Sequence, residues 1–241
     1  MTTLMTPERF QARWNNYKKE PQQSSGVWTL YEQIKRGDSP EQILSEEAPW
    51  ALKFSEKPAV VISNPLDVVY YSQLDNYTDP NGTCYSSACA MMLKFLKPSA
   101  IANDDAYLAR VLSFGKSTDP NAQLKALKSY GVDALFVKNM NKEKVIALIN
   151  KGIPVPCGFL HHGPSSAPRG GGHWLTWIGY YNSGLIVHDP YGEMNVPAGT
   201  YGSKNGAFLK YSYANWLPRW EVEGPNTGWS IITTAIDGVA V

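Results

Sequence analysis

The stretch "GGGHWLTWIGYYNSGLIVHDPYG", residues 170–192, restricts the possible folds more than any other part of the chain. Two runs of β-branched and aromatic residues flank the turn "NSG", a pattern that predicts an antiparallel hairpin. "IPVPCGFL", residues 153–160, has the composition of a buried strand, and "VDALFVK", residues 132–138, is also strand-like. "AVVISN" and "LDVVYYSQ", residues 59–64 and 66–73, read as strands on the same grounds. The loop "HHGPSSAPRGGG" is expected to join the strand at 153–160 to the hairpin.

Helical signals lie mostly ahead of these strands. Thr6-Pro7-Glu8 and Ser39-Pro40-Glu41 each supply an N-cap, a proline at the first helical position and an acidic first turn. An N-terminal helical extension is therefore expected over residues 1–57 and a main domain over 58–241. Within the main domain, helices are predicted from about Cys84 to Leu96, over 105–114 and 121–130, and in "NKEKVIALINKG", where Gly152 is the C-cap. Helices followed by antiparallel strands indicate an α+β fold, with a helical subdomain packed on an antiparallel sheet. Beyond residue 193 the Gly-, Tyr- and Trp-rich remainder reads as strands and loops.

Composition excludes several functional classes. A formal net charge of +1 gives no electrostatic reason to expect a nucleic-acid partner. Three cysteines, an odd number without even spacing, do not form a disulfide framework and favour a reducing compartment of synthesis. The N-terminus has no apolar run of signal-peptide length, and no stretch of ~18 apolar residues predicts a membrane span. A chain made in the cytoplasm is expected, with no membrane partner. The 14 Tyr and 8 Trp suit a carbohydrate- or peptide-lined groove, although core packing accounts for most of them.

The candidate chemistry starts at Cys84. Ala88, Met91, Met92, Phe95 and Leu96 form a helical apolar stripe, and Cys84 lies one turn earlier, just after the turn residues Asn81, Gly82 and Thr83. Unpaired backbone N–H groups and the positive end of the helix dipole favour a thiolate at such a position. Cys89, in mid-helix, and Cys157, in a strand, are expected to be inert packing residues. A thiolate nucleophile needs a base and an orienter for that base. Among the four histidines, His173 opens the first hairpin strand after three glycines, and Asp189 ends the returning strand. In a regular ladder with a three-residue turn Asp189 would pair near Trp177. That leaves roughly 13 Å to His173 at about 3.3 Å per residue, so the pair requires a bulge or a bend. Gln73 could complete an oxyanion hole with the backbone N–H of Cys84.

Taken together, Gln73, Cys84 followed by "SSACAMML", "GGGHWLTWIGY" and "HDPYGE" resemble the bacteriocin-leader-peptidase-like group of papain-like cysteine peptidases. The resemblance covers about Val68 to Glu193. The helical segment and the "RWEVEGPNTGW" tail look like extensions of phage-associated and cyanobacterial members. It implies a papain-like fold with Cys84 as nucleophile, His173 as general base and acid, Asp189 as orienter and Gln73 as oxyanion donor. Within that group the His–Asp spacing found here is normal. Trp174, Tyr85, Gly172 and His162 are the expected substrate contacts.

No transporter segments accompany the domain, so leader processing is not the expected role. A peptidoglycan-degrading peptidase or amidase is expected instead, either an endolysin released at host lysis or a virion-carried lysin, acting on stem peptides without a cofactor. The alternatives are an intracellular protein-directed peptidase or deconjugase, and an inactive papain-like binding module. Cys84, Cys89, Cys157, His161, His162 and His173 fit no paired zinc spacing, so no metal is expected. "DNYTDPNG" puts a proline where a calcium loop needs its glycine and reads as a polar turn. "GPSSAPRGGG" lacks the strand-before and helix-after context of a phosphate loop. His188, next to Asp189, is expected to face away from the site.

Overall fold

The computed structural model of the protein describes residues 63–241. The helical extension expected over 1–57 and the strand at 59–64, all but its last two residues, lie outside them. The described chain begins with a 3-10 turn, Gln73–Asp75, and then forms α1 (Cys84–Leu96), α2 (Asp104–Leu112) and α3 (Pro120–Ser129). These are followed by β1 (Val132–Met140), α4 (Lys142–Ile149), β2 (Val155–His162), β3 (Arg169–Tyr181) and β4 (Gly184–His188). The ribbon β5 (Met194–Asn195) and β6 (Thr200–Tyr201) precedes β7 (Leu209–Ser212), α5 (Tyr213–Trp220), β8 (Gly228–Ile236) and β9 (Val239–Ala240). The main sheet runs β1-β8-β2-β3-β4-β7, with β9 on β8, and its paired strands are antiparallel. This is the α+β architecture expected from the sequence, with helices packed on an antiparallel sheet. Among the described residues, no helix is long and apolar enough to cross a membrane.

Local chemistry sets the helix starts. Asn103 and Asn141 accept the N–H groups of Ala106 and Lys144, and Asp119 accepts that of Asn121 ahead of Pro120. Thr83 precedes α1 without a side-chain cap. Its hydroxyl instead accepts from Asn76 Nδ2 at 2.8 Å. Ser86 and Ser87 are buried, and each is bonded to another segment. Gln123 donates to Ser86 at 2.9 Å, and Ser87 donates to Asp104 at 2.9 Å. Burial raises the Asp104 carboxyl to about 6, against the lowering effect of the Ser87 hydrogen bond.

Strand alternation separates two cores. Trp174 joins the cluster built by α1, α2 and α3 with Ile231, whereas Leu175 and Trp177 join the one holding Val145, Ile149, Trp216 and Trp220. Thr176 Oγ1 donates to the Ala88 carbonyl at 3.0 Å, fixing α1 against β3. Trp174 stacks on Tyr85 with ring centroids 3.6 Å apart and planes at 4°. Its ring also passes so close to Gly158 that a Cβ there would lie 2.9 Å from it. Gly158→Ala is expected to push Trp174 out of this stack and cost about 1–3 kcal/mol. Thermal melting reads that loss, and an unchanged midpoint would show that the ring shifts freely.

Three expectations about the elements need correction. Residues 66–73 do not form a strand: Leu66 N–H bonds the Ile178 carbonyl, but the segment then crosses over the hairpin and ends in the 3-10 turn. The joining loop is shorter than expected, because His161 and His162 end β2 and residues 169–172 already belong to β3. The region after residue 193 contains a helix, α5, despite Pro218 inside it.

Candidate active site

Helix α1 and the hairpin β3–β4 build the site. Cys84 is the first residue of α1 and is half-buried, while Cys89 and Cys157 are fully buried. Burial pushes the Cys157 thiol up to about 12, opposed by its contact with Ser230, and pushes Cys89 well above the ordinary thiol range. Neither buried thiol is available as a nucleophile at neutral pH.

The bulge that the His–Asp pair requires is present. The β3–β4 turn has two residues, with Tyr181 opposite Gly184, and the register shifts between Trp177 and Gly179 so that Ile178 has no partner. His188 therefore faces Thr176, and Asp189 follows two residues from His173 in register rather than four. His173 Nε2 donates to Asp189 Oδ1 at 2.7 Å, with side chains 3% and 0% exposed. Nδ1 is left for the Cys84 side of the ring. Burial on its own would lower the His173 pKa. The Asp189 carboxylate, the charge of Cys84 and hydrogen bonds to both outweigh it and raise the value to about 10.

Asp189 is held from several sides. Oδ1 also accepts the Tyr191 N–H at 3.0 Å, and Oδ2 accepts the Tyr211 hydroxyl at 3.3 Å. Tyr211 in turn accepts the Met194 N–H at 3.0 Å, so its own proton points at the carboxylate. The Asp189 backbone N–H bonds the Gly206 carbonyl at 2.9 Å, and a Cβ on Gly206 would lie 1.7 Å from the Asp189 carbonyl oxygen. Only glycine permits that approach.

Gln73 is 1% exposed and lies beside the Asp189 turn, its N–H on the Pro190 carbonyl at 2.9 Å. Its Nε2 donates to the Pro80 carbonyl at 2.8 Å, and Oε1 has no partner among the described residues. One amide hydrogen thus has no acceptor among the described residues. His188 is buried away from the pair: its Nε2 donates to Val68 O at 2.8 Å, and Nδ1 accepts the Phe208 N–H at 3.0 Å.

The expected substrate contacts divide. Gly172 and Trp174 line a cavity of about 330 Å³ together with Phe159, Trp220, Val222 and Trp229, and none of Cys84, His173, Asp189 and Gln73 lines it. Tyr85 is 2% exposed beneath Trp174, so it supports the cavity wall and is not a contact surface. His162 is exposed at the strand end, whereas His161 is half-buried and stacks on His173 with centroids 5.1 Å apart.

Sequence reasoning missed Arg219. Its guanidinium is buried and donates to the carbonyls of Val196, Leu160, His162 and Gly163, tying α5 to the end of β2. No sequence motif marks it. Asp104 and Gln123, which anchor the serines of α1, were equally invisible, because their partners lie 17 and 37 residues away.

Against known proteins, the model of the "Peptidase C39 like" family matches residues 65–216, more than half of the chain. A search of curated proteins returns no match. Solved structures with a similar fold include a C39-like peptidase from Bacillus anthracis, 14% identical, covering 69% of this chain and 94% of that one, TM-score 0.47. The peptidase domain of Streptococcus ComA, a bifunctional ABC transporter involved in quorum sensing, is 15% identical, covering 68% and 96%, TM-score 0.45. The Carica candamarcensis cysteine protease CMS1MS2 is 13% identical, covering 78% and 97%, TM-score 0.42.

Proposed function

Since the chain belongs to the C39-like family of cysteine peptidases, we propose that it hydrolyses amide bonds through Cys84, His173 and Asp189, with Gln73 in the oxyanion hole. The observation that carries this reading is the buried His173–Asp189 pair at 2.7 Å beside a cysteine that opens a helix. The Cys84 sulfur attacks the scissile carbonyl, and its negative charge passes to the carbonyl oxygen. The backbone N–H of Cys84 and the spare Gln73 amide hydrogen stabilise that oxygen. The tetrahedral intermediate collapses as His173 protonates the departing amine, leaving a thioester on Cys84. Water then attacks the thioester while His173 takes its proton, and collapse of this second tetrahedral intermediate releases the acid and restores the Cys84 thiolate beside protonated His173.

The substrate we propose is the peptide part of peptidoglycan, which makes the protein a cell-wall lytic enzyme of the endolysin or virion-lysin kind. Gly171 and Gly172, whose Cα atoms face open space, leave the His173 side of the cleft free for a branched, glycan-bearing peptide. Incubation of the wild-type protein with purified walls is expected to lower turbidity and release muropeptides with new termini. Intact walls after incubation with a protein whose Cys84 still alkylates rapidly would sink the wall substrate and leave the peptidase.

One observation favours a protein-directed peptidase instead. The cavity under Gly172 and Trp174 is walled by Trp174, Trp220, Trp229, Phe159 and Val222, and a large apolar side chain fits that lining better than the small residues of a stem peptide. Cleavage of a denatured protein next to aromatic or leucine residues, with walls left intact, would establish this second substrate class.

A further inference from the structure

The two oxyanion donors, the Cys84 N–H and the Gln73 amide, come from separate pieces of chain: the start of α1 and the 3-10 turn Gln73–Asp75. Residues 76–83 intervene, so covalent geometry does not fix the spacing of the donors. Donors aimed at one developing charge act only when they are held in place beforehand. Two anchors of the turn lead elsewhere. The Gln73 N–H bonds the Pro190 carbonyl, and Nε2 bonds the Pro80 carbonyl within the same loop.

Asn76 is the residue that reaches the helix. Its backbone N–H closes the 3-10 turn on the Gln73 carbonyl at 3.3 Å. Its side-chain Nδ2 donates to Thr83 Oγ1 at 2.8 Å and to Ser87 Oγ at 3.2 Å, on either side of Cys84 in the chain. Among the described residues, these are the only hydrogen bonds between residues 73–76 and the first turn of α1. The group behind them fixes the direction of the amide. Ser87 gives its one hydroxyl hydrogen to Asp104 Oδ2 at 2.9 Å, so it can only accept from Asn76. Burial raises the Asp104 carboxyl to about 6, which leaves it ionised and accepting at neutral pH. Asn76, Thr83, Ser87 and Asp104 are all buried, where hydrogen bonds of this kind are strong and directional. The Thr83 hydroxyl, taken up by Asn76, caps no N–H of α1, and the donors at the helix start stay uncapped.

We propose that Asn76 is a positioning residue for the oxyanion hole: by bridging Thr83 and Ser87 to the turn that carries Gln73, it sets the spacing between the Gln73 amide and the Cys84 N–H. This role rests on Cys84 and Gln73 acting as proposed above and adds the part that holds their two donors together.

The test compares two reagents at Cys84, with adducts quantified by mass spectrometry. The carbonyl oxygen of p-nitrophenyl acetate gains charge as the sulfur attacks, whereas iodoacetamide is displaced at carbon without an oxyanion. Gln73→Ala is expected to slow acetylation by about 10²-fold and Asn76→Ala by about 10-fold, with alkylation within about twofold of wild type in both. Asn76→Ala added to Gln73→Ala is expected to bring no further loss, because Asn76 acts through Gln73. An Asn76→Ala protein that acetylates like wild type, that is slowed equally with both reagents, or whose loss multiplies that of Gln73→Ala would overturn the proposal. Where Asn76→Ala does not fold, Thr83→Val keeps the side-chain shape, removes one acceptor and gives the same readings, with acetylation slowed about 3-fold. Failure of the underlying site looks different: wild-type Cys84 would acetylate no faster than a free thiol, or Gln73→Ala would change neither rate.

Discussion

Cys84→Ala is expected to lower turnover by about 10⁴-fold or more, because no other described thiol can take its place. Cys89 and Cys157 are buried in the cores, and burial raises both of their pKa values. Cys89→Ala and Cys157→Ala are therefore expected to keep turnover within a few-fold of wild type while lowering the melting temperature. Iodoacetamide at neutral pH is expected to modify Cys84 alone in the folded domain. Residual hydrolysis in Cys84→Ala, or an adduct mapped to either buried thiol while the fold is intact, would remove the nucleophile from this position.

The second large effect lies at Asp189. Asp189→Ala is expected to reduce kcat/KM by about 10²–10⁴-fold, since it removes both the charge and the anchor of the His173 ring. Asp189→Asn separates the two contributions. The Tyr191 N–H and His173 both donate to Oδ1, so an asparagine is expected to keep its carbonyl there and turn its amide toward Tyr211. Ring orientation then survives and only the charge is lost. In wild type the His173 pKa is raised from 6.5 to about 10, so kcat/KM is expected to hold through neutral pH and fall as pH rises through about 10. In Asp189→Asn the burial that opposes protonation is offset only by Cys84, and the alkaline limb moves to lower pH. Stability follows the same sign: the contribution of protonated His173 is complete below its unfolded value near 6.5 and is lost as pH rises through the folded one. An alkaline limb at the same pH in Asp189→Asn would show that the carboxylate does not set the His173 charge.

The site was legible wherever its signal is local. The helix start at Cys84, the glycines before His173 and the strand returning to Asp189 are each readable within a dozen residues. The His–Asp contact was not, because alternation describes a regular ladder and Ile178 interrupts it. The sequence could state the need for a bulge without locating one. The misread strand at 66–73 has a similar cause. Its β-branched and aromatic residues fit a sheet, but its backbone groups bond across the hairpin and to the Asp189 turn. Tyr85 is polar enough to suggest a contact residue, and only its stack under Trp174 shows that it is buried. Arg219 lies past the matched family segment, and the carbonyls it holds are 23 to 59 residues away.

The position of β8 has a consequence for how the protein comes into being. This strand, Gly228–Ile236, lies between β1 and β2 and so occupies the interior of the sheet, although it is next to last in chain order. While the chain is being synthesised, β1 and β2 therefore have no partner between them until residue 236 has left the ribosome. Contacts of such large sequence separation form slowly and late. The strand that carries His173 borders β2, so a nascent chain holds Cys84 and His173 on a sheet that is still incomplete. Strand order thus places completion of the sheet that carries His173 at the very end of the described chain.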